Sequence, residues 1–248
     1  MSAAPALQAL LFDVDGTLAE TERDGHRIAF NAAFEAAGLG WHWDVETYGR
    51  LLAITGGKER MLAWWQEREP VSTPKEVARR AERVKALHAD KTLRYTALVA
   101  AGRVRLRPGI ERLIDEARAD GLRLAIATTT TPDNVSALLR HTLGEDASRW
   151  FDVIGAGDVV AAKKPAPDIY RWVLERLQLA PEATLALEDS ANGLAAARAA
   201  GVPCVVSPSV YARGESFDGA LAVIERWGAL GTLRQWHAEA ASPAFACK

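Results

Sequence analysis

Apolar and polar residues change rhythm twice along this chain. Near its start Leu10-Leu11-Phe12 is a short continuous apolar run that ends in Asp13-Val14-Asp15-Gly16-Thr17. Such a run, bounded by a glycine, reads as a buried strand. The next stretch has a helical period. His26, Ala29, Phe30, Ala33, Phe34 and Ala37 recur at spacings that predict a helix over Glu20–Leu39, stopped by Gly38. Beyond Trp41-His42-Trp43, Val45–Ile54 predicts a second helix. Thr55-Gly56-Gly57-Lys58 predicts a turn into a third, which carries Met61, Leu62, Trp64 and Trp65 and closes at Pro70. Thr73 and Pro74 suit the cap and first position of a long amphipathic helix that runs to about Ala101. Residues 20–103 hold no convincing strand.

From Arg107-Pro108-Gly109 onward the two periods alternate. Ile110–Ala119, Pro132–His141, Pro167–Leu177 and Gly193–Ala200 read as helices, and Leu122–Thr128, Val153–Ile154, Thr184–Leu187 and Cys204–Val206 as the strands that follow them. Leu221–Ile224 adds an edge strand, Ala229–His237 a last helix, and Ser242–Lys248 a frayed end. This alternation predicts a parallel sheet built from βαβ units. The fold class is therefore α/β: a core over 1–19 and 104–248, interrupted after its first strand by an all-helical domain over 20–103.

Composition narrows the function without naming it. A chain of 248 residues with 49% hydrophobic content accommodates one core and an insertion. A formal net charge of −2 gives no electrostatic case for nucleic acid. The charge is unevenly placed, however. Residues 20–106 carry 15 Lys+Arg against 12 Asp+Glu, and the remainder carries 15 against 20. That asymmetry suits an anionic small molecule and a cation on opposite sides of one site. Cys204 and Cys247 lie too far apart for a disulfide framework, which points to a reducing cytoplasm. No apolar run approaches the roughly 18 residues of a membrane span, and the start of the chain lacks the pattern of a secretory leader.

The candidate chemistry sits at the strand ends, where open parallel sheets bind ligands. Asp13 and Asp15, two residues apart on extended backbone, point to the same side. Two carboxylates that close repel unless a proton or cation lies between them; a plain polar strand exit accounts for one Asp and the glycine, but not for the pair. The second strand runs into Thr128-Thr129-Thr130-Thr131-Pro132-Asp133-Asn134, whose hydroxyls and helix-start N–H groups make a phosphate seat, or simply a helix cap. Lys163-Lys164-Pro165 holds a lysine before a rigid turn, where a surface lysine is the plain alternative. Glu188-Asp189-Ser190 puts adjacent acids at the exit of a buried strand, a costly placement unless a cation neutralises them.

Taken in order, an acid pair, a threonine, a Lys-Pro and a second acid pair, each after its own strand, resemble the four-part signature of the haloacid dehalogenase (HAD) superfamily. The helical insertion resembles that superfamily's type-1 cap. The resemblance spans the chain and implies a Rossmann-like core with an inserted all-helical cap and an Mg²⁺-dependent phosphatase. By it, Asp13 is the nucleophile and Asp15 the general acid and base. Mg²⁺ lies on the Asp13 carboxylate, the Asp15 backbone carbonyl and Asp189, with Glu188 bound directly or through water. Thr128, Thr129, Asn134 and Lys164 hold the phosphoryl group.

The predicted cap carries its own signals. Glu22 and His26, at i and i+4, share one face of a helix. Thr55, Gly56 and Gly57 let backbone approach a ligand at a helix N-terminus, and Lys58 and Arg60 add positive charge, so the loop suits a second phosphate; a helix-start loop with surface charges is the alternative. Ala19-Glu20-Thr21-Glu22, Thr55–Arg60, Ala127–Thr130 and Lys163–Tyr170 resemble the CbbY family. Its members dephosphorylate xylulose-1,5-bisphosphate, an inhibitory misfire product of Rubisco, so the resemblance implies a sugar bisphosphate substrate and a metabolic link to Rubisco rather than a stable protein partner. One feature departs from it: Glu22 and His26 stand one residue further apart than the family's Glu-x-x-His. The other readings are a β-phosphoglucomutase-like mutase, a phosphoglycolate phosphatase and a silent sugar-phosphate sensor. The intact set of Asp13, Asp15, Lys164 and Asp189 argues against the sensor.

Overall fold

A computed structural model describes residues 6–240, and the frayed end expected over Ser242–Lys248 lies outside them. Strand β1 spans Ala9–Phe12, β2 Arg123–Ala127, β3 Val153–Gly155, β4 Thr184–Glu188, β5 Cys204–Val206 and β6 Ala222–Val223. Among the described residues these form one six-stranded sheet in the order β3-β2-β1-β4-β5-β6. Every pairing is parallel. The order reverses beside β1, between β2 and β4, so the topological switch point falls where Asp13 leaves the sheet.

The chain passes from β1 into four helices: α1 (Arg27–Ala36), α2 (Val45–Leu51), α3 (Gly57–Arg68) and α4 (Pro74–Ala100). They close an apolar cluster of their own around Phe30, Phe34, Trp43, Tyr48, Met61 and Trp64. The Trp43 ring sits 4.9 Å from that of Phe30 and 4.8 Å from that of Phe34. Asn31 exchanges two 2.8 Å hydrogen bonds with the Trp43 backbone, which pins the loop between α1 and α2. Asp44 then caps α2 by accepting the Thr47 N–H at 2.7 Å.

Back in the core run α5 (Ile110–Ala119), α6 (Pro132–Leu143), α7 (Asp168–Leu177), α8 (Ala191–Ala199) and α9 (Leu230–Ala240). Alternate strand residues face opposite sides. Leu10, Phe12, Ile126 and Leu187 pack toward α5, α6 and α9. Ala9, Leu11, Ala125, Ala127 and Ala186 face α7 and α8, where small side chains let those helices come close. Both faces are buried, which explains why the strands read as apolar runs rather than alternating ones. No helix among the described residues is long and apolar enough to cross a membrane.

The expected elements recur with shifted ends, but one differs in kind. The helix expected over Glu20–Leu39 starts at Glu22, and Glu22–His26 form a π turn closed by the Arg27 N–H on the Glu22 carbonyl. A π turn takes up one residue more than an α turn. It accommodates the longer Glu22-to-His26 spacing, and periodicity alone does not reveal it.

Candidate active site

Register assembles the core half of the site. Phe12 pairs with Ile126 on one side and Leu187 on the other, so Asp13, Thr128 and the Glu188-Asp189 pair emerge at one sheet edge. Asp13 and Glu188 continue the strand face that looks toward α7. There Lys164 Nζ lies 2.6 Å from Asp13 Oδ1 and 2.6 Å from Glu188 Oε1. The Tyr170 hydroxyl of α7 donates to the same Glu188 oxygen. Glu188 Oε2 is buried with no partner, and Gly193 leaves the room for it that a Cβ would fill.

Asp13, Glu188 and Asp189 offer carboxylate oxygens within 4.8 Å of one another. Burial, the largest influence, pushes Asp13 up to about 8, against the attraction of Lys164 and with the repulsion of Glu188. Burial and the charges of Asp13 and Glu188 likewise push Asp189 well above the carboxylate range. A single lysine therefore does not neutralise the cluster. Lys164 itself is held above its ordinary value because its two acid partners outweigh the cost of its burial. In the loop after β1 the carbonyls of Val14, Gly16, Thr17, Leu18 and Ala19 all accept hydrogen bonds, and that of Asp15 accepts none among the described residues. Three acids with excess negative charge, an orphaned oxygen and a free carbonyl form a hard-oxygen donor set that fits a divalent cation.

Asp15 belongs to a different environment. Its Oδ1 accepts the Thr21 hydroxyl at 2.6 Å and lies 2.9 Å from His26 Nε2, while His26 Nδ1 lies 2.7 Å from Lys91 Nζ. Burial raises the Asp15 carboxyl, but the charge and hydrogen bond of His26, the Thr21 hydroxyl and the charge of Lys91 outweigh it and hold Asp15 at about 2. Lys91 is lowered to about 8 by burial, against the pull of Asp15 and Glu22. His26 stacks on Tyr95 with ring centroids 4.0 Å apart, and its two ring nitrogens link Asp15 to Lys91 of α4. The two acids of the opening motif, two residues apart, are thus driven in opposite directions.

The remaining expected residues fall in two adjoining clefts between the core and the helical insert. Thr128 and Thr129 line the first with Glu22, Thr55, Gly56 and Arg60. The second holds Gly57, Lys58, Asn134 and His26, and is also lined by Lys91 and Lys163. Glu22 accepts the hydroxyl of Tyr48, and Arg60 donates to that hydroxyl at 3.0 Å and to the Leu51 carbonyl at 3.1 Å. Asn134 donates to Thr130 Oγ1 at 2.9 Å and leaves its Oδ1 buried and unpartnered. Lys58 is ion-paired across the cleft with Asp158 of the core. His26 is 3% exposed and lies between Asp15 and Lys91 at the wall of the second cleft.

Thr21, Lys91, Tyr170 and Tyr48 are missing from the expected set. Lys91 had a signal, because it interrupts the buried stripe Val84, Leu87, Tyr95 and Val99 of α4. Tyr48 and Tyr170 owe their place to packing between separate segments, and Thr21 to the turn that brings it back onto Asp15 six residues earlier.

Residues 7–201 match the family model described as haloacid dehalogenase-like hydrolase. "Protein CbbY, plasmid" of Cupriavidus necator is 50% identical, over 93% of this chain and 97% of its own length. The chain belongs to the haloacid dehalogenase-like hydrolases, in their CbbY family. It is an enzyme, a phosphatase. Among solved structures, CbbY from Rhodobacter sphaeroides in complex with phosphate has 48% identity and a TM-score of 0.80, over 96% of this chain and 98% of that one. A mutant of that CbbY in complex with Xylulose-(1,5)bisphosphate has 49% identity and a TM-score of 0.83, over 92% and 99%. The α/β core and helical insert of the present chain are those of the CbbY fold.

Proposed function

We propose that this CbbY-family protein is a cytoplasmic Mg²⁺-dependent phosphatase that hydrolyses xylulose-1,5-bisphosphate to xylulose 5-phosphate through an aspartyl-phosphate. The observation that carries the reading is the opposite treatment of two neighbouring carboxylates: Asp13 among acids and Lys164, Asp15 on a hydrogen-bonded relay. Groups whose environments drive their protonation apart divide acid, base and nucleophile roles.

Asp13 attacks phosphorus, and the bond from phosphorus to the sugar oxygen breaks. Asp15 protonates the departing oxygen. The arriving phosphate is a like charge that raises the Asp15 carboxyl from its low resting value. In the second half-reaction Asp15 takes a proton from water, the water oxygen attacks phosphorus, and the bond to Asp13 breaks to release phosphate. Thr128 and Lys164 hold the group in transit. Asp13, Glu188, Asp189 and the Asp15 carbonyl would hold Mg²⁺, which supplies charge neutralisation on the transferring oxygens.

The helical segment over 20–103 acts as a cap in this reading. Lys58, Arg60 and Lys91 supply positive charge on its side of the cleft, where the phosphate that is not cleaved is gripped. The xylulose bisphosphate bound by the related CbbY mutant supports the same substrate here. Phosphate release measured in Mg²⁺ and in chelator, on xylulose-1,5-bisphosphate, ribulose-1,5-bisphosphate, fructose-1,6-bisphosphate, phosphoglycolate and β-glucose-1-phosphate, tests it. Xylulose-1,5-bisphosphate with Mg²⁺ is expected to be turned over fastest. A wide preference for phosphoglycolate overturns the substrate and leaves the chemistry standing.

A further inference from the structure

Arg107 stands where the chain re-enters the core from the helical insert, and it is 7% exposed. A guanidinium taken out of water must place its five N–H groups on acceptors. Nη1 donates to the Gly16 carbonyl and, at 2.5 Å, to the Ser207 carbonyl. Nη2 donates to Ser207 Oγ at 2.9 Å and to the Pro208 carbonyl at 3.2 Å. Nε faces the Glu20 carboxylate at 3.4 Å. The backbone N–H of Arg107 adds a 2.8 Å bond to the Leu18 carbonyl.

These partners belong to two pieces of chain. Gly16, Leu18 and Glu20 are in the loop that follows Asp15 and leads to the insert. Ser207 and Pro208 lead directly to Ser209, whose backbone N–H donates to the Asp189 carbonyl at 3.4 Å. The two pieces meet at Gly16, which has φ +86° and no room for a Cβ against the Asp189 carboxylate and Ser209. Arg107 lines neither cleft, yet it fastens the loop after Asp15 to the loop after β5 that abuts Asp189.

We propose that Arg107 is a positioning residue that sets the separation between the Asp15 carbonyl and the Asp189 carboxylate, and so the affinity of the site for its cation. The inference rests on the reading of that cluster as an Mg²⁺ site. Lysine keeps the charge but presents its donors from a single point, so it cannot span both loops. Mg²⁺ binding is measured by calorimetry on the wild type, Arg107→Lys and Ser207→Ala, alongside their melting temperatures. Arg107→Lys is expected to weaken Mg²⁺ binding by about 10–100-fold, the range for residues that orient ligands. Ser207→Ala, which removes one acceptor and no charge, is expected to weaken it less. A merely structural role lowers the melting temperature and leaves Mg²⁺ affinity unchanged, which overturns the inference. Should Arg107→Lys not fold, Ser207→Ala decides alone: weaker binding supports positioning, and wild-type affinity overturns it. A wild type that binds no Mg²⁺ instead overturns the metal reading beneath.

Discussion

The sheet edge and the helical insert build their halves of the cleft in different ways. At the sheet edge Asp13, Thr128, Glu188 and Asp189 each follow a strand end, and parallel register alone brings them together. In the insert, Glu22, Tyr48, Arg60 and Lys91 come from different helices and meet only because an aromatic cluster packs those helices in one arrangement. The edge is buried and charge-dense, as chemistry on a phosphoryl group requires. The insert packs Ala29, Tyr95 and Val99 into the apolar cluster of the core, and across the cleft it reaches the core through polar bonds: Lys58 to Asp158, Lys163 to Glu59 at 3.3 Å, and Asn192 to Thr55 at 3.3 Å. Contacts of that kind form and break with modest cost. Reaction at the edge and selection at the insert is the division this difference supports.

The comparison is sharpest at Asp13. Asp13→Asn is expected to abolish turnover, by on the order of 10⁴-fold or more, while the protein stays folded and still binds substrate, as seen by calorimetry. Retained turnover would remove the edge from the chemistry. Next comes the contact between the two halves. His26→Gln is expected to lower kcat by about 10²-fold and to move the acid limb of the pH–rate profile upward, because the charge and hydrogen bond of His26 help to hold Asp15 low. A drop in kcat with an unshifted profile would make His26 purely structural.

A smaller effect separates the two possible uses of Lys58. If Lys58 grips the second phosphate, Lys58→Ala raises KM for the bisphosphate by about tenfold, the cost of one exposed charge contact of roughly 1.4 kcal/mol, and spares monophosphates. If Lys58 only latches the insert onto Asp158, Asp158→Asn reproduces the loss and both substrate types suffer alike.

The smallest expected change is in stability, and its sign follows from the acids. A carboxyl raised to about 8 in the folded protein binds its proton more tightly there than in the unfolded chain. Its contribution is therefore lost as pH rises toward 8. His88, lowered to about 3 by burial, acts in the opposite sense, but only below its ordinary value of 6.5. Between pH 6.5 and 8 the acids dominate. In chelator the melting temperature is expected to fall by a few degrees across that window, and Mg²⁺ is expected to remove the slope. A melting temperature in chelator that does not change across that window would mean that the acids bind no extra proton in the folded protein and that the cluster is already neutralised.

The same contrast governs what the sequence made legible. Strand ends, an insertion without strands and the order of the four motifs follow from period and punctuation, so Asp13, Thr128, Lys164 and Asp189 could be found without coordinates. The relay through His26 to Lys91 could not, because it joins positions 65 residues apart through helix packing. The π turn that ends at His26 depends on a single extra residue, which an i, i+4 reading passes over. Arg107 stands in the sequence only as the point where the rhythm changes, and the folded chain brings Gly16 and Ser207 to its side chain.

The most direct test of the division between edge and insert is the ratio of kcat/KM for xylulose-1,5-bisphosphate to that for xylulose 1-phosphate, which presents the same scissile group without the second phosphate. Gripping of the second phosphate by the insert is expected to favour the bisphosphate by about 100-fold or more, the equivalent of roughly 2.7 kcal/mol in the transition state. Equal values would mean that the insert does not read the second phosphate, and would contradict the account.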